Sequence, residues 1–546
     1  MPRKHTLALG AVVGASLFAA GPAGAQTASV SKQIDALQQQ IQQLQQQLQS
    51  LQTEVKASHE EAQAAETQAA QAKAAAAAPA ATPASTPHVI QSGSNQFGLA
   101  SADGRNSIEL TGRLQLDYGD YINYSKASSA TSLNDLNSGE NARRARIGVA
   151  GTFLGDWKYA LIYDFGGSSD SLSPLISGAG ASGIENAYIE YVGIPQVAID
   201  LGYMDTPYSL DEPTGSGDLM FLERSSAQVV AANIAAGDNR ATFGFHWNND
   251  RIWLGAYATG PTSGAAHTLT VTTLAAASSA STKLTCPVKG ASATCTVANT
   301  AYGAAYGGSA EQTGAFGRVA VQALQGDGYS LHVGGDIESL IQPAHTSSGI
   351  RGLTLSDRPE LRVDPTSLIG LTISNVSDAE VYSGEAAASL GPFFIQGEFF
   401  NFNIDRDTDP SISLNGGYVE AAIALTGETR KYNPATGAYR QPNPTNPFGW
   451  SDGGFTGAGA WELAARFSEI DLNDSPKLAE GKAANAGGDQ TVYTVGLNWY
   501  VNSNVKFQFD YEHGDIDKPV ANSKGTALVP GGQTFDALAA RAQVLW

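Results

Sequence analysis

The chain has 546 residues with 52 acidic and 32 basic side chains, a formal charge of −20. Charged residues make up only 15 %, against roughly 25 % in ordinary soluble proteins, and the acidic balance argues against nucleic acid as a partner. Mean hydropathy is −0.16, a value that does not reveal a membrane protein but would hide a barrel, in which each lipid-facing residue is averaged with a water-facing neighbour; past the N-terminus no long apolar run exists, which excludes a helical membrane protein.

The N-terminus reads as a signal peptide, residues 1–25. Arg3 and Lys4 form the basic start, Leu7 to Ala20 the apolar core, and Ala23-Gly24-Ala25 the small-residue cleavage site. The apolar run is shorter than the roughly 20 residues a helical span needs. Residues 26–78 then read as a periplasmic α-helical coiled coil. Ile34, Ile41, Leu48 and Val55 occupy heptad position a, and Leu37, Leu44 and Leu51 occupy d. β-Branched a with Leu d leans toward a dimer; a single amphipathic helix is the alternative. Ala-rich sequence follows, and residues 79–106 read as a Pro/Ser/Thr-rich linker.

From Ser107 onward the period is two. Ile108, Leu110, Leu114 and Leu116 oppose Glu109, Arg113, Gln115 and Asp117. Trp157, Tyr159, Leu161, Tyr163 and Phe165 oppose Lys158 and Asp164. Trp461, Leu463, Ala465 and Phe467 oppose Glu462, Arg466 and Ser468, and Val505, Phe507, Phe509 and Tyr511 oppose Lys506, Gln508, Asp510 and Glu512. The last segment places Leu538, Ala540, Ala542, Val544 and Trp546 on one parity, with Arg541 and Gln543 on the other. Aromatic residues gather near strand ends on the apolar face, as an interfacial girdle would. Short links such as Leu154 to Asp156, Asn248 to Asp250 and Val501 to Asn504 alternate with long Gly/Ser/Asn-rich ones. The fold expected is an all-β transmembrane barrel of about 16 antiparallel strands over residues 107–546, with boundaries least defined between Arg351 and Ser377.

These segments resemble the phosphate-selective porins O and P of Gram-negative outer membranes. ENARRARIGVAGTF and DWKYALIYDF look like the family's second and third strands, GYMDTPYSLDE with FLERSS like its loop after the fifth. LTGETRKYN, GAWELAARFSEIDL and TVGLNWYVN are the most specific matches, and FDALAARAQVLW closes as family members close. The resemblance runs from about Ile108 to Trp546. It implies a sixteen-stranded, trimeric outer-membrane porin through which small hydrophilic solutes, anions such as phosphate, diffuse passively. It also implies that the terminal aromatic, here Trp546, is read by the barrel assembly machinery. The segment from Met204 to Asp238 corresponds to the loop that folds inward and narrows the pore.

Strand parity points Arg113, Arg144, Arg146, Arg318, Arg466, Lys506 and Arg541 inward and Arg143 outward. These cations are candidates to line the pore and bind anions, because planar guanidinium donors match an oxyanion's geometry. The competing reading is that they brace the wall against lumen acids such as Asp117, Asp164, Glu398, Glu462 and Asp510. Tyr208, Arg224, Ser225 and Ser226 are the candidate constriction contacts, in a loop that is otherwise acidic: Asp205, Asp211, Glu212, Asp218 and Glu223. Cys286 and Cys295 are expected to form a loop disulfide in an oxidising compartment; no metal and no cofactor are expected. GAGASG and SNVK mimic nucleotide-binding and nucleophile motifs without their context, and the eight His residues form no HExxH. No Ser/His/acid set at readable spacing supports an enzyme. A structural barrel that tethers the outer membrane to the cell wall through its coiled coil, and a general non-specific porin, are the alternatives.

Overall fold

The computed structural model describes residues 86–92, 96–126, 136–166, 183–237, 239–262, 284–285, 294–295, 312–344, 350–451 and 453–546. The heptad segment, the signal peptide and Cys286 lie outside them.

One eighteen-stranded sheet dominates. Two of its strands form an N-terminal hairpin, His88–Ser92 with Gln96–Ala100, inside the segment read as a linker. Its second strand pairs with the start of the barrel, Phe97 opposite Leu110. The remaining sixteen strands form a closed antiparallel barrel. They are β1 (Ser107–Lys126), β2 (Gly139–Phe153), β3 (Trp157–Asp164), β4 (Gly183–Ile194), β5 (Val197–Met204), β6 (Arg240–Asn248), β7 (Ile252–Thr262), β8 (Thr313–Gly326), β9 (Tyr329–Gln342), β10 (Val376–Leu390), β11 (Phe393–Arg406), β12 (Ile412–Ala424), β13 (Ala460–Ala479), β14 (Lys482–Tyr500), β15 (Val505–Ala521) and β16 (Leu528–Leu545). β16 pairs with β1 from Leu545 opposite Arg113 to Gln533 opposite Lys126. Closure gives every spanning strand two neighbours, the requirement for burying strand N–H and C=O groups in hydrocarbon.

The outward parity is apolar, as expected. Phe509, Val495, Leu463 and Leu538 are each about half exposed (50, 50, 44 and 49 %) on the isolated chain. Aromatic pairs stand at both ends of this band. Trp157 lies on Tyr191 (4.9 Å) and Trp461 stacks on Trp499 (5.3 Å) at one end; Tyr163 meets Phe165 (4.6 Å) and Phe467 meets Tyr493 (5.3 Å) at the other. No helix among the described residues is long and apolar enough to cross a membrane.

The links at the end that carries the chain's C-terminus are short, with one exception. Residues 154–156, 195–196, 249–251, 327–328, 391–392 and 501–504 are tight turns, but residues 425–459 join β12 to β13 at that same end. The barrel convention makes this the periplasmic end. The expected alternation of short and long links therefore fails at one place.

The inward parity departs from a uniformly polar lumen. Phe316, Leu340, Val381, Phe400, Phe402, Ile404, Leu414 and Ile470 all point inward and are buried. They pack against the helix α1 (Ser226–Ala235), which crosses the lumen, and against Leu355, Leu361, Leu368 and Leu371 of the segment between β9 and β10. Residues 352–357 and 369–374 of that segment form a small hairpin.

The seam between the first and last strands depends on a glycine. Gly112 N–H donates to Trp546 O (2.9 Å), and Trp546 N–H donates back to Gly112 O (3.2 Å). The indole lies flat over Gly112; a Cβ there would sit 2.2 Å from Trp546 Cε2 and Cζ2. Replacing Gly112 with Val should therefore expel the ring and slow closure. In refolding into detergent micelles, the expected outcome is a smaller heat-modifiable, SDS-resistant fraction than wild type, while Gly112→Ala falls between them.

Candidate functional site: the lumen and the chain that crosses it

Between β5 and β6 the chain leaves the wall and runs through the barrel as residues 205–237. A segment inside a barrel must satisfy its own backbone polar groups without a neighbouring strand. Here the wall supplies side chains instead. Gln115 Nε2 donates to Ser216 O (3.0 Å), and Gln543 Nε2 to Gly217 O (3.0 Å). Lys506 Nζ donates to both Gly217 O (2.9 Å) and Leu219 O (3.0 Å). Asn498 Nδ2 donates to Met220 O (2.8 Å), and Arg466 Nη1 to Glu223 O (2.8 Å). Arg541 Nη1 donates to Leu222 O. In the other sense, Leu210 N–H donates to Glu398 (2.6 Å) and Leu222 N–H to Asp510 (2.8 Å). Gly496 makes the close approach possible: a Cβ there would meet Asp510 Oδ1 at 2.7 Å and the Phe221 ring at 3.1 Å.

The helix α1 is held the same way. Ser225 caps it, accepting from Gln228 N–H (3.3 Å). Glu360, from the segment between β9 and β10, accepts Ser226 N–H (2.8 Å) and Ser468 Oγ–H (2.6 Å) and pairs with Arg466. A carboxylate at a helix N-terminus also opposes the positive end of the dipole. At the far end Gln312 donates to Ile234 O (2.8 Å), Thr259 to Ala235 O (2.6 Å) and Arg240 to Asn233 O (2.6 Å), taking up carbonyls that the helix leaves without intrahelical partners.

The long periplasmic link enters from below. Arg318 pairs with Glu385 (2.8 Å) and donates to Thr436 O (3.0 Å) and Gly437 O (2.9 Å). Arg430, on the link itself, pairs with Glu462 (2.8 Å) and donates to Asp218 O (3.2 Å) of the upper loop. Ala438 and Tyr439 of the link share one apolar cluster with Leu210, Met220 and Phe221 of the upper loop and with Phe394 and Ala464 of the wall. Chain entering from both ends therefore meets along the β9–β13 side of the lumen.

Each expected site residue can now be placed. Arg318, Arg466, Lys506 and Arg541 point inward as parity requires, but all are fully buried and spend their donors on carboxylates and loop carbonyls. Arg144 is buried beside Gln115 (2.8 Å) with Glu223 at 4.0 Å. Arg146 is 14 % exposed and pairs with Asp164 (2.8 Å) and Glu185. Arg113 is half-buried; its Nη1 donates to Ser216 Oγ, and among the described residues no carboxylate lies within ion-pair distance. Tyr208, Ser225 and Ser226 are buried and serve as packing, cap and anchor of the loop, with no surface left for a solute. Arg224 clasps its own loop through the carbonyl of Asp211 (3.2 Å) and the carboxylate of Glu212 (3.4 Å).

Arg143 is a correction. Parity pointed it outward, but the β1–β2 register shifts between Gln115 and Asp117, leaving Ala142 and Arg143 opposite a single residue. This bulge turns Arg143 inward, where it grips Glu223 through Nε (2.7 Å) and Nη2 (3.0 Å). Burial by itself would raise the Glu223 carboxyl. Arg143, Arg144 and Arg541 outweigh it and hold Glu223 well below the usual carboxylate range.

The side of the lumen opposite the packed core is wetter. Lys158 (51 % exposed), paired with Glu190 (2.8 Å), lies on β3, and His246 (18 %) lies on β6 beside Asp200 (3.3 Å). Asp205 is exposed, and Glu212 and Asp218 are half-buried. The solvent-reachable charges thus sit along β1 to β6 and the facing edge of the loop. The sequence carried a signal for the packed side: in IQGEFFNFNI, Ile395 to Ile404, large apolar residues fall on both parities. Arg430 and Glu360, absent from the expected set, lie in stretches with no strand pattern.

Removing one member of the Arg541–Asp117–Glu223 group strands a buried charge. Breaking such a pair typically costs about 3–5 kcal/mol. Arg541→Met should lower stability by that order in urea unfolding of the refolded barrel. Lys158→Met, at an exposed pair, should shift it by about 1 kcal/mol or less.

The family described as phosphate-selective porin O and P matches residues 108–546. Porin O of Pseudomonas aeruginosa is 25 % identical over 461 residues, covering 78 % of this chain and 87 % of that protein. Among solved structures, the chain is similar to the trimer form of OmpT of Vibrio cholerae (TM-score 0.43, 12 % identity, 81 % of this chain and 99 % of that one). It is similar also to an anion-selective porin from Comamonas acidovorans (TM-score 0.43, 11 % identity, 81 % and 100 %).

Proposed function

The chain belongs to the phosphate-selective porin O and P family, and from that premise we propose that it is an outer-membrane channel rather than an enzyme and passes small anions, phosphate among them, by passive diffusion. The observation that carries this is Arg113. It is half-buried on β1, its guanidinium against the loop, 3.4 Å from where a Gly217 Cβ would be. It is steered by Ser216 and left without a carboxylate partner among the described residues. Arg146, directly opposite it across the β1–β2 ladder, is taken up by Asp164 and Glu185, and Arg144 by Gln115 and Glu223, so Arg113 is the cation on which the proposal rests.

An anion at this point would exchange part of its water for planar N–H donors that match its oxygens. A weak, partly hydrated contact of this kind lets the ion leave again, which conduction requires. Arg318, Arg466, Lys506 and Arg541 are assigned to bracing instead, because their donors are already spent. The same reading takes the assembly as a homotrimer and Trp546 as the handle for the barrel assembly machinery. A cell-wall tether through the heptad segment remains an alternative that concerns residues outside the described ones.

Acids favour a second reading. Asp205, Glu212 and Asp218 flank the same passage, and an acid-lined passage would make a general or cation-preferring pore. Reversal potentials across planar bilayers in a potassium chloride gradient separate the two. Anion preference is expected, with chloride current falling as phosphate is added. Arg113→Ala should lower the anion-to-cation permeability ratio several-fold, and Arg113→Lys should keep most of it. Cation preference in the wild type would overturn the proposal in favour of the general pore.

A further inference from the structure

The periplasmic link between β12 and β13 does two different things along its length. Its first part turns into the lumen, as described. Its last part, from Phe448, turns the other way and forms a small hairpin, Gly449–Ser451 with Gly454–Gly457, outside the barrel wall. Trp450 and Phe455 on this hairpin are the most exposed large apolar side chains among the described residues, at 73 % and 68 %. The stretch Phe448 to Ala458 contains no Lys or Arg.

The hairpin is continuous with the lipid-facing aromatic band. Trp461, Trp499 and Phe507 point outward at the periplasmic ends of β13, β14 and β15, stacked at 5.3 and 5.6 Å. Phe448 meets Trp499 edge-on at 5.5 Å, Phe455 meets Phe448 at 5.2 Å, and Trp450 meets Phe455 edge-on at 4.6 Å. The tie is polar as well. The indole N–H groups of Trp461 (3.2 Å) and Trp499 (2.9 Å) both donate to the carbonyl of Ala458, just beyond the hairpin. Phe448 N–H donates to Val501 O (2.8 Å) in the neighbouring turn. Six rings thus form one surface that leaves the wall at interfacial depth.

We propose that this hairpin is a membrane foot: Trp450 and Phe455 insert into the periplasmic leaflet of the outer membrane, at the boundary between phospholipid headgroups and acyl chains. Amphipathic aromatic rings favour that boundary, and the single charged residue of the stretch, Asp452, keeps its hydration only if the insertion stops at headgroup depth. The partner is a glycerophospholipid, because the surface continues a band that already faces lipid. This rests on the outer-membrane reading of the barrel and is independent of which ion the pore passes.

The test uses the full chain refolded into phosphatidylethanolamine/phosphatidylglycerol vesicles, with and without brominated acyl chains. Subtracting the emission of Trp450→Phe from wild type isolates Trp450, and Trp499→Phe isolates a wall indole in the same way. Expected is a blue-shifted Trp450 component that loses most of its intensity to brominated lipid and little to aqueous acrylamide. A Trp450 component quenched by acrylamide and untouched by bromine would overturn the foot, as would one shielded from both by a neighbouring copy. If Trp499 also escapes bromine, the barrel's membrane reading fails with it; if Trp499 is quenched and Trp450 is not, only the foot fails.

Discussion

The lumen of this barrel is organised by one kind of contact: a charged or amide side chain on the wall giving its hydrogen bonds to the backbone of a segment that has no strand beside it. Residues 216–223 run through the barrel with their carbonyls taken by Gln115, Gln543, Lys506, Asn498, Arg541 and Arg466 in turn. An unpaired buried carbonyl costs enough to forbid such a path otherwise. A water-filled pore would leave these groups to solvent. They are instead dry, and that dryness is what makes the wall cations necessary as donors. Because Lys and Arg cannot accept, and Asp and Glu cannot donate when ionised, the sign of each wall residue also fixes which atom of the loop it can hold.

This contact explains why lumen position does not by itself make a residue conduct. Parity correctly sent Arg318, Arg466, Lys506 and Arg541 inward, since a period of two is all that the pleat needs to place a side chain. Parity carries no record of what crosses the lumen at that height. Whether an inward arginine meets water or a loop carbonyl depends on contacts between residues more than 100 apart in sequence, such as Arg318 with Gly437 and Arg466 with Glu223. Arg143 shows the other gap. A single register shift sends two neighbouring arginines to the same side, and nothing in ENARRARIG announces it. The strand count, the outward apolar face and the closing seam at Trp546 were legible because each follows from local alternation. The eight inward apolar residues around α1 were half legible: the doubled apolar parity of IQGEFFNFNI is visible, but what it packs against is not.

The packed side of the lumen has a mechanical consequence. The helix α1, the segment between β9 and β10 and the periplasmic link converge on the β8–β13 wall through apolar clusters. They are cross-tied by Glu360, which touches α1 and Arg466 together, and by Arg430, which bridges the link to the upper loop. No one of these segments can shift without exposing buried charge on another. The segments that cross the lumen thus form a braced wall rather than a hanging flap.

Under the proposed function, that arrangement bears on where selectivity would reside. A guanidinium held at zero to two per cent exposure by a carboxylate and two carbonyls offers a passing ion only a net-neutral, already solvated group. Selection must come from charges that stay partly wet, whose field is neither cancelled by a partner nor fully screened by water. On the β1 to β6 side Arg113 fits that description, donating to Ser216 with no carboxylate within ion-pair distance among the described residues, whereas Arg146 is shared between two acids and Lys158 is matched by Glu190. Against them stand the acids on the facing edge of the loop. The balance of a handful of half-buried groups outweighs the −20 formal charge of the whole chain, because only the former lie within a screening length of the path.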